Sequence, residues 1–197
     1  MRQPPRPAPH LSTQARREQT RALRRPSALV SPPREYHTLC MSHPVLTIAL
    51  AGEADTADLA VRLGRLIRPG DVIALRGDLG TGKTTLARAL IRSRLGPGTE
   101  VPSPTFTLVQ TYPDPVCPIW HFDLYRLEDP GEMRELGLEE AVDGLALIEW
   151  PERLGRYLPS QRLEVRLSVS GAGRIARLVD FEDWSTRCDG DWRPEHE

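Results

Sequence analysis

Lysine occurs once in this chain, at Lys83, against twenty-five arginines. It stands in Gly77-Asp78-Leu79-Gly80-Thr81-Gly82-Lys83-Thr84-Thr85. The spacing Gly-x4-Gly-Lys-Thr is that of a phosphate-binding loop, in which backbone N–H groups surround the phosphates and a compact ammonium reaches the β and γ oxygens. A guanidinium is wider and forked, so arginine cannot replace that point charge inside a tight loop. In a chain that otherwise writes its basic residues as arginine, the retained lysine points to binding and hydrolysis of a nucleoside triphosphate.

Other residue types fit the same chemistry. Thr84 follows the lysine, where a hydroxyl can ligate Mg²⁺. Such a site also needs an acid at the end of another core strand, to hold the metal or its waters. Glu149 closes the apolar run Leu145-Ala146-Leu147-Ile148, and Asp123 lies in Trp120-His121-Phe122-Asp123-Leu124-Tyr125-Arg126. The residues alone leave open, for each of the two, a role in the site or that of a solvated strand-end acid. Ser103-Pro104-Thr105-Phe106-Thr107 is rich in hydroxyls; it reads either as a switch that closes on the γ-phosphate and metal or as a capped turn entering a strand. His121 reads as a packed strand residue. Trp150, before Pro151, reads as core or as a ring over a nucleotide pocket.

The elements that must position these groups are legible from period and breakers. Residues 71–76 form a short buried strand opened by Pro69-Gly70. Residues 84–95 form a helix stopped by Gly96-Pro97-Gly98. Strand, glycine loop and helix aim a helix N-terminus at an anion. Upstream, residues 45–50 read as a strand and 56–67 as an amphipathic helix with Leu59, Leu63, Leu66 and Ile67 on one stripe. Residues 106–112 and 119–125 read as strands separated by Pro113-Asp114-Pro115, and 132–136 and 138–142 as helical turns. Residues 162–168 and 175–181 pair as a hairpin around Gly171-Ala172-Gly173. The expected fold is α/β, a P-loop NTPase with a mostly parallel central sheet flanked by helices, plus a C-terminal antiparallel hairpin.

At 197 residues and 39% hydrophobic content the chain suits one domain with a single core. Residues 1–40 hold eight arginines against Glu18 and Glu35, with many prolines. Such a stretch is expected to be disordered; it reads as an extension ahead of a start at Met41 or as a genuine basic tail. The catalytic domain is then 41–183, followed by a polar, flexible tail over 184–197. Beyond residue 40 the chain carries eighteen basic and twenty-five acidic groups, a net −7. That balance excludes a broad nucleic-acid footprint on the body itself. Cys40, Cys117 and Cys188 are isolated and without metal spacing, as for free thiols in a reducing cytoplasm. No apolar run reaches membrane-spanning length and no secretory h-region is present, so a cytoplasmic protein without a membrane contact is expected.

Four motifs in order, Gly-Asp-Leu-Gly-x-Gly-Lys-Thr-Thr, Ser-Pro-Thr-Phe-Thr, His-Phe-Asp-Leu-Tyr-Arg-Leu and Ile-Glu-Trp-Pro-Glu, resemble the bacterial TsaE (YjeE) ATPase family over about residues 45–181. The resemblance implies ATP hydrolysis in the service of N6-threonylcarbamoyladenosine formation, on tRNAs reading codons that begin with adenosine. It implies TsaB and TsaD as partners, with tRNA reached through that complex, and ATP and Mg²⁺ as cofactors. Carried over by position, Asp78, Leu79, Gly80, Thr81, Gly82, Lys83, Thr84 and Thr85 would bind the phosphates. Thr84 and Glu149 would share Mg²⁺, and Asp123 would position or activate water. Lys83, Asp123 and Glu149 would form the catalytic set, Ser103, Pro104, Thr105, Phe106 and Thr107 the switch-like segment. Trp150 would lie close to the nucleotide. The 40-residue extension departs from the family pattern.

The rival reading is a small P-loop kinase passing phosphate to a metabolite. Kinases close an arginine-bearing lid on the donor, and residues 101–150 hold only Arg126 and Arg134. With one lysine already used, no Asn-Lys-x-Asp guanine motif is available to a GTPase. A nucleotide-gated assembly module, in which hydrolysis matters little, is the reading from outside the enzymes. No arginine finger can be named from the sequence.

Overall fold

In the computed structural model the described residues are 43–181 and 184–188. The Pro/Arg-rich stretch 1–40, Met41 and the tail beyond residue 188 lie outside them. Apolar alternation and turn residues build seven strands: β1 His43–Leu50, β2 Val72–Arg76, β3 Val109–Tyr112, β4 Ile119–Asp123, β5 Leu145–Glu149, β6 Arg162–Ser170 and β7 Gly173–Phe181. Three helices accompany them: α1 Glu53–Leu66, α2 Lys83–Leu95 and α3 Trp184–Cys188.

The strands form one sheet in the order β1-β7-β6-β2-β5-β4-β3. Its centre is parallel, β6 with β2, β2 with β5 and β5 with β4. The outer pairs, β1–β7, β7–β6 and β3–β4, are antiparallel. The α/β fold expected from the sequence, with its hairpin at the C-terminal end, is the fold observed. Parallel strands need both faces covered, and the period of two supplies both. Leu145 and Leu147 of β5 face a core with Leu59 and Leu63 of α1 and Leu86, Leu90 and Ile91 of α2. Ala146 and Ile148 face the other way, against Phe122, Leu124, Ala141 and Leu154. Short 3₁₀ segments, Pro130–Arg134, Glu140–Asp143 and Pro151–Tyr157, cover that second face.

Caps fix where the helices start and stop. The Asp55 carboxylate accepts the N–H groups of Ala51 and Gly52 at 2.6 and 3.1 Å, closing the entry to α1. Gly96, at φ +101°, ends α2 by donating its N–H to the Arg92 carbonyl. The first turn of α2 carries no acidic residue while Arg92 and Arg94 lie in its last. The positive end of that helix is thereby left for an exogenous anion.

One buried charge knits the sheet. Glu164 on β6 is 1% exposed and takes Arg76 Nε and Arg166 Nε at 2.7 Å and Arg162 Nη2 at 3.3 Å. Burial pushes its carboxyl upward, but hydrogen bonds from Arg166 and Arg76 outweigh that and hold it below the ordinary 4.5. Glu164→Gln removes the negative charge that Arg76, Arg162 and Arg166 share, while Arg76 keeps Glu152 and Arg162 the Pro159 carbonyl; it is expected to cost about 2 kcal/mol in urea unfolding at neutral pH. Because the folded value is depressed, the carboxylate's contribution is fully present above pH 4.5 and is lost as pH falls through the lowered folded value. The gap between wild type and variant therefore narrows in acid.

The expectation of a frayed end beyond Asp183 fails for its first residues. Trp184 and Cys188, one helical turn apart on α3, are both buried in the α1–α2 core. Arg187 between them reaches Asp71 with two hydrogen bonds, at 2.7 and 2.9 Å. Among the described residues no helix is long and apolar enough to cross a membrane.

Candidate active site

The site is built at the carboxyl edge of three neighbouring parallel strands, where open α/β sheets place their ligands. β2 runs into the phosphate loop, β5 ends on Glu149 and β4 on Asp123. Asp123 and Glu149 are register partners across β4 and β5, and Leu75 of β2 is the partner of Glu149 on its other side. The two acids that the sequence left undecided are therefore adjacent. A cavity of about 320 Å³ lies over them, lined also by Gly80, Gly82, Lys83 and Thr84.

Glycine makes the loop possible at a close approach. A Cβ on Gly77, at φ +137°, would fall 2.3 Å from the Leu167 carbonyl oxygen. The Lys83 ammonium donates to the carbonyls of Gly77 and Asp78 at 2.6 and 2.9 Å. It also sits 3.7 Å from the centre of the Trp150 ring, a cation–π contact. Burial pushes its pKa below 10.5, against the pull of Glu149, Glu152, Asp123 and Asp78. Asp78 contributes its carbonyl, which also accepts from the Thr81 hydroxyl at 2.8 Å. Leu79 and Thr85 lie on the cavity wall.

Thr84 donates its hydroxyl to Glu149 Oε2 at 2.8 Å. The other oxygen, Oε1, meets His121 Nε2 at 2.9 Å. Both His121 and Glu149 are buried, at 0% and 1% exposure. His121 Nδ1 has no partner among the described residues, so the tautomer that fits carries its proton on Nε2 and donates it to the carboxylate. His121 is packed in the strand as its sequence suggested, but it also orients Glu149, a role that nothing local in the sequence signals.

Asp123 is 3% exposed. Its Oδ2 accepts from Ser103 Oγ at 3.0 Å and Thr105 Oγ1 at 2.6 Å, and Oδ1 from the Tyr125 N–H at 3.2 Å. These long-range bonds explain why residues 106–108 do not join the strand expected over 106–112. Leu108 takes φ +62°, its N–H bonds back to the Pro104 carbonyl, and β3 begins only at Val109. Of the switch-like segment, Ser103 and Thr105 line the cavity and Pro104 is buried. Phe106 is 80% exposed against Arg126, and Thr107 is exposed too.

Trp150 has φ +59°, a left-handed conformation that a bulky residue adopts at a cost. That turn carries its ring over Lys83 and against Tyr125, ring centres 5.0 Å apart. Arg174 of β7, absent from the residues singled out above, also reaches the cavity. Its position depends on strand order, which local pattern does not reveal.

Known proteins resemble this chain in sequence and fold. A family profile described as "Threonylcarbamoyl adenosine biosynthesis protein TsaE" matches residues 50–177. The tRNA threonylcarbamoyladenosine biosynthesis protein TsaE of Rickettsia bellii is 45% identical over 121 residues, 61% of this chain and 84% of that protein. Its namesake in Bacillus subtilis is 40% identical over 129 residues, 64% of this chain and 78% of that protein. Among solved structures, YdiB of Bacillus subtilis superposes with a TM-score of 0.62 at 27% identity, covering 76% of this chain and 94% of that one. With the profile spanning the loop, both strand-end acids and Arg174, the chain belongs to the TsaE family.

Proposed function

We propose that this chain is a Mg²⁺-dependent ATPase that serves N6-threonylcarbamoyladenosine formation on tRNA, acting in the cytoplasm with TsaB and TsaD. The observation that carries the ATPase reading is the pairing of Asp123 and Glu149 beside the phosphate loop. One cavity thus holds a phosphate cradle, a metal-suited acid and a second carboxylate, which the Ser103 and Thr105 hydroxyls hold in place.

Thr84 and Glu149 offer one hydroxyl and one carboxylate oxygen 2.8 Å apart. That all-oxygen pair suits Mg²⁺, which keeps waters and substrate phosphates as its remaining ligands. When bound, the ion neutralises phosphate charge. Lys83 and the loop amides hold the polyphosphate of the substrate ATP and stabilise the charge that builds on the transferring group. Asp123 orients a water for in-line attack on the γ-phosphorus and accepts its proton as the bond to the β–γ bridging oxygen breaks. Ser103 and Thr105, tied to Asp123, are the groups through which a docked partner would tune that step.

The tRNA role follows from family membership and from the relatives' printed names. TsaB and TsaD enter through the family resemblance. The acidic body leaves the RNA contact to them. Hydrolysis by this chain then resets or drives the transferase complex between turnovers. The test is a reconstituted modification reaction containing TsaB, TsaD, threonylcarbamoyl-adenylate and tRNA. Adding this chain with ATP is expected to carry modification through many rounds. Equal turnover without it would contradict the proposal.

A further inference from the structure

We propose that Arg174 is a second phosphate-binding cation of this site, delivered to the nucleotide from the C-terminal hairpin. The inference rests on the reading of the cavity as a nucleoside triphosphate site. Arg174 lines that cavity with Lys83 and Thr84 although it lies ninety residues further along the chain. Its Nε is buried and has no partner among the described residues. Its nearest polar contact, from Nη2 to the Gly80 carbonyl, is 3.5 Å, at the long limit for a hydrogen bond. A guanidinium carries five donors in a fixed fork suited to phosphate oxygens, and here most of that capacity is unspent beside an anion cradle.

Two glycines place it there. A Cβ on Gly82 would stand 3.3 Å from Arg174 Nε and 3.5 Å from its Cδ, so the bare backbone at the head of α2 makes room for the side chain. Gly173 presses the hairpin onto β1, where a Cβ would come 2.6 Å from the Leu50 carbonyl oxygen. Arg174 is held between its register partners, Leu50 of β1 and Val169 of β6. The cation is thus mounted on paired strands rather than on a mobile lid, and it approaches the helix N-terminus from outside the loop. Lys83 serves the same anion from within, anchored on Gly77 and Asp78. A polyphosphate bridging the two would tie the β6–β7 hairpin to the phosphate loop.

The experiment is calorimetric titration of wild type, Arg174→Gln and Arg174→Lys with ATP over a range of salt concentrations, beside thermal melting without nucleotide. Arg174→Gln is expected to bind ATP at least tenfold more weakly and with a shallower salt dependence, at an unchanged melting temperature. Arg174→Lys should keep the salt dependence and regain part of the affinity. Binding by Arg174→Gln within twofold of wild type would overturn the inference while leaving the ATPase reading intact. So would a weakened affinity accompanied by an unchanged salt slope and a lowered melting temperature, the signature of a merely structural prop. Failure of the wild type itself to bind ATP would overturn both.

Discussion

Asp123→Asn is expected to slow phosphate release from ATP by about a hundredfold or more, while ATP affinity stays within a few-fold of wild type. Asparagine keeps the shape and one acceptor oxygen, so the Tyr125 N–H keeps its partner. The Ser103 and Thr105 hydroxyls, which now donate to Oδ2, can rotate to accept from an amide instead. What the substitution removes is the negative charge and the proton acceptor at the end of β4. Since Glu149, Thr84 and Lys83 are untouched, nucleotide binding should persist. Single-turnover phosphate release alongside calorimetric affinity separates the two effects. A variant that loses affinity and rate together would assign Asp123 to binding.

Lys83→Ala is expected to weaken ATP binding about a hundredfold, close to 2.8 kcal/mol at about 1.4 kcal/mol per tenfold. The ammonium is held 2.6 Å from the Gly77 carbonyl and 3.7 Å from the Trp150 ring centre, a slot with no width for a guanidinium. Lys83→Arg should therefore fail nearly as badly, in a chain that uses arginine at every other basic position. The affinity also has a pH signature. Burial lowers the Lys83 pKa below 10.5, and only the charged form attracts phosphate. ATP affinity should thus decline as pH rises through that lowered value. Titration at several pH values should show this decline in wild type and its disappearance in Lys83→Ala. The stability effect has the opposite sign: a lysine with a depressed folded pKa makes folding more favourable as pH rises between the folded value and 10.5.

The legible parts of this protein are those set by local rules. The loop spacing, the apolar run Leu145–Ile148 and the breakers around α2 each act over a few residues, and each lies where its pattern indicated. The site was legible as far as strand ends, because acids that close buried strands arrive at the same edge. What escaped depends on partners distant in sequence. The strand expected over 106–112 starts late because Ser103 and Thr105 turn toward Asp123, twenty and eighteen residues away. His121 looked like packing because its partner Glu149 lies on another strand. Arg174 reaches the loop only because β7 and β6 stack beside β2 in the sheet. Trp184 and Cys188 lie in a polar stretch, where two apolar groups a turn apart were too weak a signal to read as a docked helix.

The most direct test of the central claim is phosphate release from ATP by the purified chain, with and without TsaB, TsaD and substrate tRNA. The account predicts Mg²⁺-dependent release that the partners stimulate strongly and that Asp123→Asn slows about a hundredfold or more in both settings. Release indifferent to the partners and to Asp123→Asn, or transfer of the γ-phosphoryl group to a small-molecule acceptor, would contradict it.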